Sequence, residues 1–330
     1  MEIFKDLIGN EDIKNSLGVA IQEKRFSHAY IIEGAYGTGK KTVARLAAAS
    51  ILCQGKGESL PCGKCDACRK VLNDSCADVR VLEITKVDDA RELRSTLYES
   101  SSEYDYKIYI IENAEKMNIK AQNALLISLE EPPKNVVFFL LTQDASALLE
   151  TIRSRAQILR TRLLSRETIF SYIKENDSLQ ISDEKLMEIV VSSAGSLGYA
   201  LDMLDTKKSD EVLALRELSL ELISSVLKNN ADSVTFMFSL FGKTRDELKE
   251  ILSLSTTVIG DVILLKKDTN APLYFFSSAD RGIALGEGHS VQRLLAIYDA
   301  LLDAKDALNS NANVATTLMS ILSSSKKKGN

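Results

Sequence analysis

The sequence predicts an α/β domain with a parallel sheet, followed by two smaller regions that are entirely helical. Two observations support this fold class. Short apolar runs alternate with amphipathic segments through the first half of the chain, a pattern typical of a parallel sheet with helices on both faces. Beyond residue 165 the strand signals fade and only helical periodicity remains. A chain of 330 residues, 45% of them apolar, can build more than one core.

Five short apolar runs are predicted as strands, and they cover residues 29–33, 79–84, 107–111, 136–141 and 157–160. Amphipathic spacing predicts intervening helices at 39–53, 88–100 and 121–129. Pro132 and Pro133 end the last of these helices, because proline has no amide hydrogen to donate. This alternation implies that the strands run parallel.

The second half is predicted to be helical throughout. Three short helices are expected at 166–173, 183–194 and 197–204. Longer segments with helical periodicity follow at 211–227, 231–241, 245–265 and 291–323. The predicted domains are therefore an α/β domain at 1–160, a small helical domain at 161–208 and a larger helical domain at 209–330.

The charge balance excludes a globally basic protein. There are 41 Lys and Arg against 46 Asp and Glu, a net charge of −5, so no overall field attracts nucleic acid or anionic lipid. Any contact with DNA must come from a local patch or from a larger assembly. No apolar run reaches the roughly 18 residues of a membrane span. The N-terminal segment lacks the basic and apolar pattern of a signal peptide, so the cytoplasm is the expected location.

The segment 34–40, Gly-Ala-Tyr-Gly-Thr-Gly-Lys, follows a predicted strand and opens a predicted helix. This context is typical of a phosphate-binding P-loop. Gly34, Gly37 and Gly39 let backbone amides turn toward a phosphate, and the helix N-terminus adds a favourable dipole. Lys40 would reach the terminal phosphates. The alternative is a tight strand-to-helix turn without a ligand.

The residues that should bind a metal beside this loop are altered. A hydrolytic P-loop is followed by Ser or Thr, whose hydroxyl holds Mg²⁺, but this chain has Lys41. Thr42 is a poor substitute, because one step along a helix rotates the side chain by about 100°. The third strand ends with Glu112 and Asn113 where such ATPases have Asp and Glu. Glu112 can reach a metal, but Asn113 cannot accept a proton.

These changes predict a site compatible with ATP or ADP binding but not with metal-assisted hydrolysis. The alternative is an active ATPase with unusual substitutions.

Five cysteines lie in one short stretch, which favours a metal site over a disulfide framework. Cys53, Cys62, Cys65 and Cys68 fit a closed tetrahedral Zn²⁺ site, which is structural because no coordination position is open. Cys53 is expected to end the P-loop helix and the other three to lie on the following loop. An iron–sulfur cluster and four free thiols are the alternatives. Cys76 lies outside this spacing.

Several motifs together resemble those of the AAA+ clamp-loader subunits of bacterial DNA polymerase III. They run from residues 4–10 and 27–30 through the phosphate loop and the cysteines. Leu-Glu-Glu-Pro-Pro at 129–133 and Ser-Arg at 154–155 are specific to clamp loaders, whereas a P-loop alone is not. The resemblance implies an AAA+ domain, a lid and an oligomerising collar for the three predicted domains. It also favours zinc over an iron–sulfur cluster.

The resemblance implies roles for single residues. Arg155 is similar to the arginine finger of the family's Ser-Arg-Cys motif, which enters the ATP site of the neighbouring subunit and neutralises charge on the transferred phosphoryl group. Ala156 replaces the family's Cys. Thr142 matches the sensor-1 position, and Gly198 stands where ATPase subunits carry a sensor-2 Arg. The simpler interpretation of Arg155 is an ordinary surface cation.

The three losses at the nucleotide site are typical of the delta-prime class of clamp-loader subunits. The resemblance then implies an ATPase-inactive subunit that helps load the sliding clamp on primer-template DNA. Its expected partners are the tau/gamma ATPase subunits and the delta subunit, with no membrane. One alternative is an active tau/gamma-type ATPase, recognised by Mg-ATP turnover of the lone chain. Another is a zinc-dependent DNA-binding module, recognised by salt-sensitive DNA binding of the lone chain.

Overall fold

The computed structural model describes residues 2–5, 7–55, 59–99, 101–176, 181–205, 209–269, 271–276, 278–310 and 312–324. Two units divide the chain, Met1–Arg162 and Leu163–Asn330. The separation of a lid from a collar within the second unit stays a prediction, and its boundary at residue 208 lies outside the described residues.

The first unit contains a five-stranded parallel sheet, which confirms the predicted fold class. Its strands are β2 (Ala29–Glu33), β4 (Val79–Glu83), β5 (Lys107–Glu112), β6 (Val136–Thr142) and β7 (Gln157–Arg160). Their order across the sheet is β4-β5-β6-β2-β7. A separate two-stranded parallel sheet, which the sequence did not predict, consists of β1 (Glu2–Ile3) and β3 (Ser59–Leu60).

Alternate residues of the central strands enter two separate cores, as the period of two in a strand requires. Tyr30 stacks on Phe139 in one core, with ring centroids 5.4 Å apart. Tyr109 stacks on Phe138 in the other, at 5.6 Å. All four rings are buried. The sheet is therefore covered on both faces, as continuous apolar strands indicate.

Helices supply the outer layer of each core. The helices of the first unit are α1 (Glu11–Ile13), α2 (Val19–Gln22), α3 (Lys40–Ile51), α4 (Asp66–Leu72), α5 (Val87–Leu97), α6 (Ile119–Glu130) and α7 (Glu150–Arg153). A wider helical turn joins α1 to α2, and short 3₁₀ turns lie at Ala114–Lys116 and Ala145–Ala147. Residues of α3 and α4 pack on one face of the sheet, and residues of α5, α6 and α7 pack on the other.

The described residues of the second unit form helices and connecting turns. The helices are α8 (Arg166–Asn176), α9 (Asp183–Ser192), α10 (Leu197–Leu204), α11 (Ser209–Lys228), α12 (Ala231–Ser239), α13 (Arg245–Lys267), α14 (Ala279–Gly286), α15 (Val291–Asn309) and α16 (Val314–Ser324). A 3₁₀ turn, Leu240–Gly242, follows α12.

The segment predicted as helical at 291–323 is helical and contains two helices, α15 and α16. The side-chain oxygen of Asn313 accepts hydrogen bonds from the amide of Thr316 and from its hydroxyl, and it starts α16 as a separate helix. Asparagine favours such a capping position because its short side chain competes with backbone hydrogen bonding. The sequence also missed α14.

A buried carboxylate organises the turn between α13 and α14. Asp261 is 1% exposed, and its oxygens accept hydrogen bonds from the backbone amides of Tyr274, Phe275 and Phe276. Burial raises the pKa of Asp261, while these amides favour the charged form and oppose that rise.

Within the described part of the chain, every helix is too short or too polar to cross a bilayer.

Candidate nucleotide site and metal centre

The carboxyl edge of the sheet collects the residues of the predicted nucleotide site. Gly34 follows β2, Glu112 ends β5 and Thr142 ends β6. The amide of Gly34 donates a hydrogen bond to the carbonyl oxygen of Thr142 over 3.1 Å. Strands distant in sequence thus bring the phosphate loop to the edge where ligands bind in open parallel sheets.

The loop has the backbone of a phosphate cradle. Gly39 has φ +91°, a left-handed conformation that glycine adopts without a Cβ clash. At Gly34 a Cβ atom would lie 1.9 Å from Oγ1 of Thr161, so the loop packs directly on the residue after β7. The Thr38 hydroxyl is 2.7 Å from that of Thr161 and donates to the carbonyl of Ala35. Thr161 was not a predicted site residue, because no local motif marks it.

Lys40 is anchored over the loop. Its ammonium donates to the carbonyl oxygens of Gly34 and Ala35, over 2.6 and 2.8 Å. These two hydrogen bonds fix a positive charge above the loop, where the phosphates of a nucleotide would lie.

Lys41 occupies the side of the loop where Mg²⁺ is expected. Its ammonium lies 2.5 Å from Oε1 of Glu112. The acid that could hold a metal is thus already paired with a cation, and the residue that should supply a hydroxyl supplies a second positive charge. Thr42 is exposed on the first turn of α3. These residues do not fit a magnesium site, because Mg²⁺ requires oxygen ligands.

The polar residues at the ends of β5 and β6 are engaged in the fold. The Asn113 amide donates to Glu83 over 3.3 Å. The hydroxyl of Thr142 is buried, donates to the carbonyl of Asp144 and accepts from its amide. Glu33 accepts hydrogen bonds from the Ala145 amide and from Arg160. Glu33 ties three parts of this edge together, a role that the sequence pattern did not indicate.

Arg155 lies after α7 in the first unit and is held by three acceptors. Its guanidinium forms an ion pair with Glu130 at 2.8 Å and donates to the carbonyl of Thr151 and the hydroxyl of Ser154. The side chain is 37% exposed. The two clamp-loader motifs, Glu-Glu-Pro-Pro and Ser-Arg, are therefore in direct contact. Gly198 lies in the first turn of α10 in the second unit.

The four predicted ligands form a cluster. The sulfur atoms of Cys53, Cys62, Cys65 and Cys68 all lie within 4.8 Å of one another. The Cys62 and Cys68 sulfurs are 3.9 Å apart, close to the ~3.8 Å expected when Zn–S bonds of about 2.3 Å point to the corners of a tetrahedron. The arrangement fits a four-thiolate zinc site.

Backbone amides prepare the cluster for a metal. The amide of Cys65 donates to the sulfur of Cys62, and the amide of Cys68 donates to the sulfur of Cys65. The backbone amides of Cys65 and Lys64 lower the pKa of Cys62 to about 6, so that its thiolate is available at neutral pH. Burial raises the pKa of Cys53 and of Cys68, and a bound cation would reverse that effect.

Two details of the cysteine module differ from the sequence prediction. Cys68 lies within α4, and Cys65 caps that helix, whereas both were expected on a loop. Cys53 follows α3 and its capping residue, Leu52. Two helix ends therefore hold the cluster. Cys76 is buried elsewhere, and burial raises its pKa, as expected for an inert thiol.

Comparisons with known proteins extend these findings. The family described as DNA polymerase III, delta subunit, matches residues 9–165. The gamma subunit of DNA polymerase III from Buchnera aphidicola (subsp. Acyrthosiphon pisum) is 30% identical and is aligned over 76% of this chain and 75% of that protein. The tau subunit from Bacillus subtilis is 32% identical, over 75% of this chain and 48% of that protein. A gamma subunit-related structure from Thermotoga maritima covers 94% of this chain and 99% of that one, at 21% identity and a TM-score of 0.43.

A parallel sheet with a phosphate loop at its carboxyl edge, followed by helices, defines an α/β P-loop protein of the AAA+ type. The chain spans three quarters of the Buchnera protein and about half of the Bacillus protein. It belongs to the clamp-loader subunits of DNA polymerase III. The resemblance is thus confirmed for the family, and the gamma and tau names of these relatives do not single out the delta-prime class.

Proposed function

We propose that the chain is a delta-prime-type subunit of a bacterial clamp loader, a stator that does not hydrolyse ATP. The observation that carries this proposal is the 2.5 Å pair between Lys41 and Glu112. An ammonium in place of the metal ligand, with Asn113 in place of the base, removes two requirements of ATP hydrolysis at once. Gly198, in place of a sensor-2 Arg, is a third departure.

In this proposal, Arg155 acts on the ATP site of a neighbouring tau/gamma subunit. Its planar guanidinium presents several hydrogen-bond donors to phosphate oxygens. The contacts with Glu130, Thr151 and Ser154 hold the side chain close to the fold, so less rotamer freedom is lost when it meets a phosphate. With the delta subunit, the assembly would place the sliding clamp on primer-template DNA.

The cysteine cluster would contribute stability to the stator. We propose that Cys53, Cys62, Cys65 and Cys68 bind one Zn²⁺, which would join the end of α3 to the start of α4. Since four thiolates fill the tetrahedron, this metal would have no catalytic position.

The second candidate is an active tau/gamma-type ATPase subunit, which the names of the relatives favour. Mg-ATP turnover by the purified chain separates the two candidates. We expect no turnover above that of the Lys40→Ala variant. Turnover that Lys40→Ala abolishes would contradict the stator proposal and establish the ATPase.

The role of Arg155 is tested in the assembled complex. Arg155→Ala and Arg155→Lys should each slow hydrolysis at the neighbouring ATP site by about 10³-fold, because lysine keeps the charge but loses the planar fork. Arg91→Ala is the matched control, since Arg91 is 70% exposed on α5 and pairs with Asp88 of the same helix. Single-turnover hydrolysis and clamp loading are the measurements. Normal rates with both Arg155 variants would exclude the role.

A further inference from the structure

In this chain a lysine ammonium, that of Lys41, lies between the phosphate loop and the neighbouring acid, Glu112. In a P-loop hydrolase, the divalent metal lies between the hydroxyl after the loop lysine, the acid at the strand end and the phosphates. Here the first ligand is replaced by Lys41, and the acid, Glu112, is bound by the Lys41 ammonium at 2.5 Å. The Lys41 ammonium therefore pairs with the acid that would otherwise hold the metal.

The cradle itself is intact. The loop from Gly34 to Gly39 is fixed by its packing against Thr161. The ammonium of Lys40 is fixed by two loop carbonyls. The helix that follows, α3, contributes the positive end of its dipole. Nothing in these contacts depends on a metal.

The charge balance of the site suits a phosphate chain without a metal. A metal-free di- or triphosphate carries several negative charges, which free carboxylates would repel. In this site Lys41 neutralises Glu112, and Asn113 replaces a second acid. The Lys41 and Glu112 side chains are 46% and 32% exposed, so a solute can reach the pair.

We infer that the loop binds a polyphosphate without a divalent cation, with the Lys41 ammonium in place of Mg²⁺. The ligand chemistry is the phosphate chain of a nucleoside di- or triphosphate or of free pyrophosphate. This inference concerns binding by the chain itself and does not depend on the proposed role of Arg155.

Calorimetric titration of the full-length chain with ADP and with pyrophosphate, in excess EDTA and in millimolar Mg²⁺, tests the inference. We expect binding in EDTA that Mg²⁺ tightens by less than about threefold. Binding of ADP but not pyrophosphate would identify a nucleotide as the source, and the reverse would identify the free anion. No binding in EDTA at millimolar ligand, or binding only with Mg²⁺, would overturn the inference.

Variants of the pair give a second readout. Lys41→Thr should weaken binding in EDTA by about tenfold and regain it with Mg²⁺, because a charge-assisted contact is replaced by a metal ligand. Glu112→Gln should tighten polyphosphate binding in EDTA by roughly several-fold, because no carboxylate then competes for the Lys41 ammonium. The matched control is Lys120→Thr, since Lys120 is exposed and is also the second residue of its helix.

If one of these variants does not fold, a second pair of substitutions at residue 41 still tests the inference. Lys41→Arg and Lys41→Gln are of similar size and differ in charge, so binding in EDTA should survive the first and fall with the second. Equal binding by wild type, Lys41→Arg and Lys41→Gln in EDTA would show that the charge of residue 41 has no part in binding and would refute the assignment.

Discussion

Replacing one ligand of the cysteine cluster tests the zinc proposal, and Cys68→Ser is the most informative change. Cys68 is completely buried in α4, and its sulfur lies 3.9 Å from that of Cys62. A serine hydroxyl has nearly the same size but binds Zn²⁺ far less well than a thiolate. The variant should therefore fold with little steric disturbance and lose the metal.

The expected loss of stability follows from the length of chain that the metal would close. From Cys53 to Cys68 the loop has about 15 residues, and a cross-link over that length stabilises the folded state by about 3 kcal/mol. For a unit of this size, each kcal/mol shifts the midpoint of thermal unfolding by about 2–4 °C. We therefore expect Tm to fall by about 6–12 °C.

Metal analysis and thermal unfolding, with and without a chelator, are the assays. The wild type should contain about one Zn²⁺ per chain and lose stability when chelated. Cys76→Ser is the matched control, because Cys76 is also buried but lies outside the cluster. It should keep the metal. A metal-free wild type, a Cys68→Ser variant with full metal content, or a Tm insensitive to chelation would refute the reasoning.

Three further predictions concern stability. Phe139→Ala removes a buried ring that stacks on Tyr30 and should lower the unfolding free energy by about 3–5 kcal/mol in a denaturant titration; a loss below about 1 kcal/mol would contradict the packing. Asp261→Ala leaves three backbone amides, two of them buried, without their acceptor and should cost about 3 kcal/mol in the same titration. The amide of Thr244 lowers the pKa of Glu247 to about 2, below its usual 4.5. The contribution of the ionised Glu247 carboxylate to folding stability is therefore complete above pH 4.5 and is lost as the pH falls toward 2. The Tm difference between wild type and Glu247→Gln should shrink over that range.

Secondary structure in the first unit follows closely from local patterns. The predicted strands at 29–33 and 157–160 agree with β2 and β7, and the other three end one residue away. Runs of buried apolar residues make the central strands β2, β5 and β6 conspicuous, because both faces of the sheet are covered there. The helix α4 was missed because its seven residues, Asp66–Leu72, are too few to show periodicity.

In the helical half of the chain, the sequence predicted the helical segments better than the points at which one helix ends and the next begins. Periodicity continues in phase from 291 to 323, so the pattern alone gives no reason to divide it. Asparagine is a residue type that caps helices, but Asn313 starts a helix only because tertiary packing favours the turn before it. The same applies to α14, whose eight residues include two glycines.

For the site, the sequence determined which chemical groups are present and which are lost. The phosphate loop, the four thiols and the replacements at 41 and 113 are evident from residue types and spacing, whereas the replacement at 198 is implied by the resemblance to clamp-loader subunits. They depend only on the local chain, so no fold is needed to recognise them.

Tertiary structure alone decided which of those groups meet. The pairs Lys41 with Glu112, Arg155 with Glu130, and Thr38 with Thr161 join residues far apart in sequence. The Lys41–Glu112 and Thr38–Thr161 pairs form because the parallel strand order brings the ends of β2, β5 and β7 to one edge. Glu130 precedes β6 and Arg155 precedes β7, so that pair forms near the starts of the strands. Side-chain pairing follows spatial order, which a residue pattern does not contain.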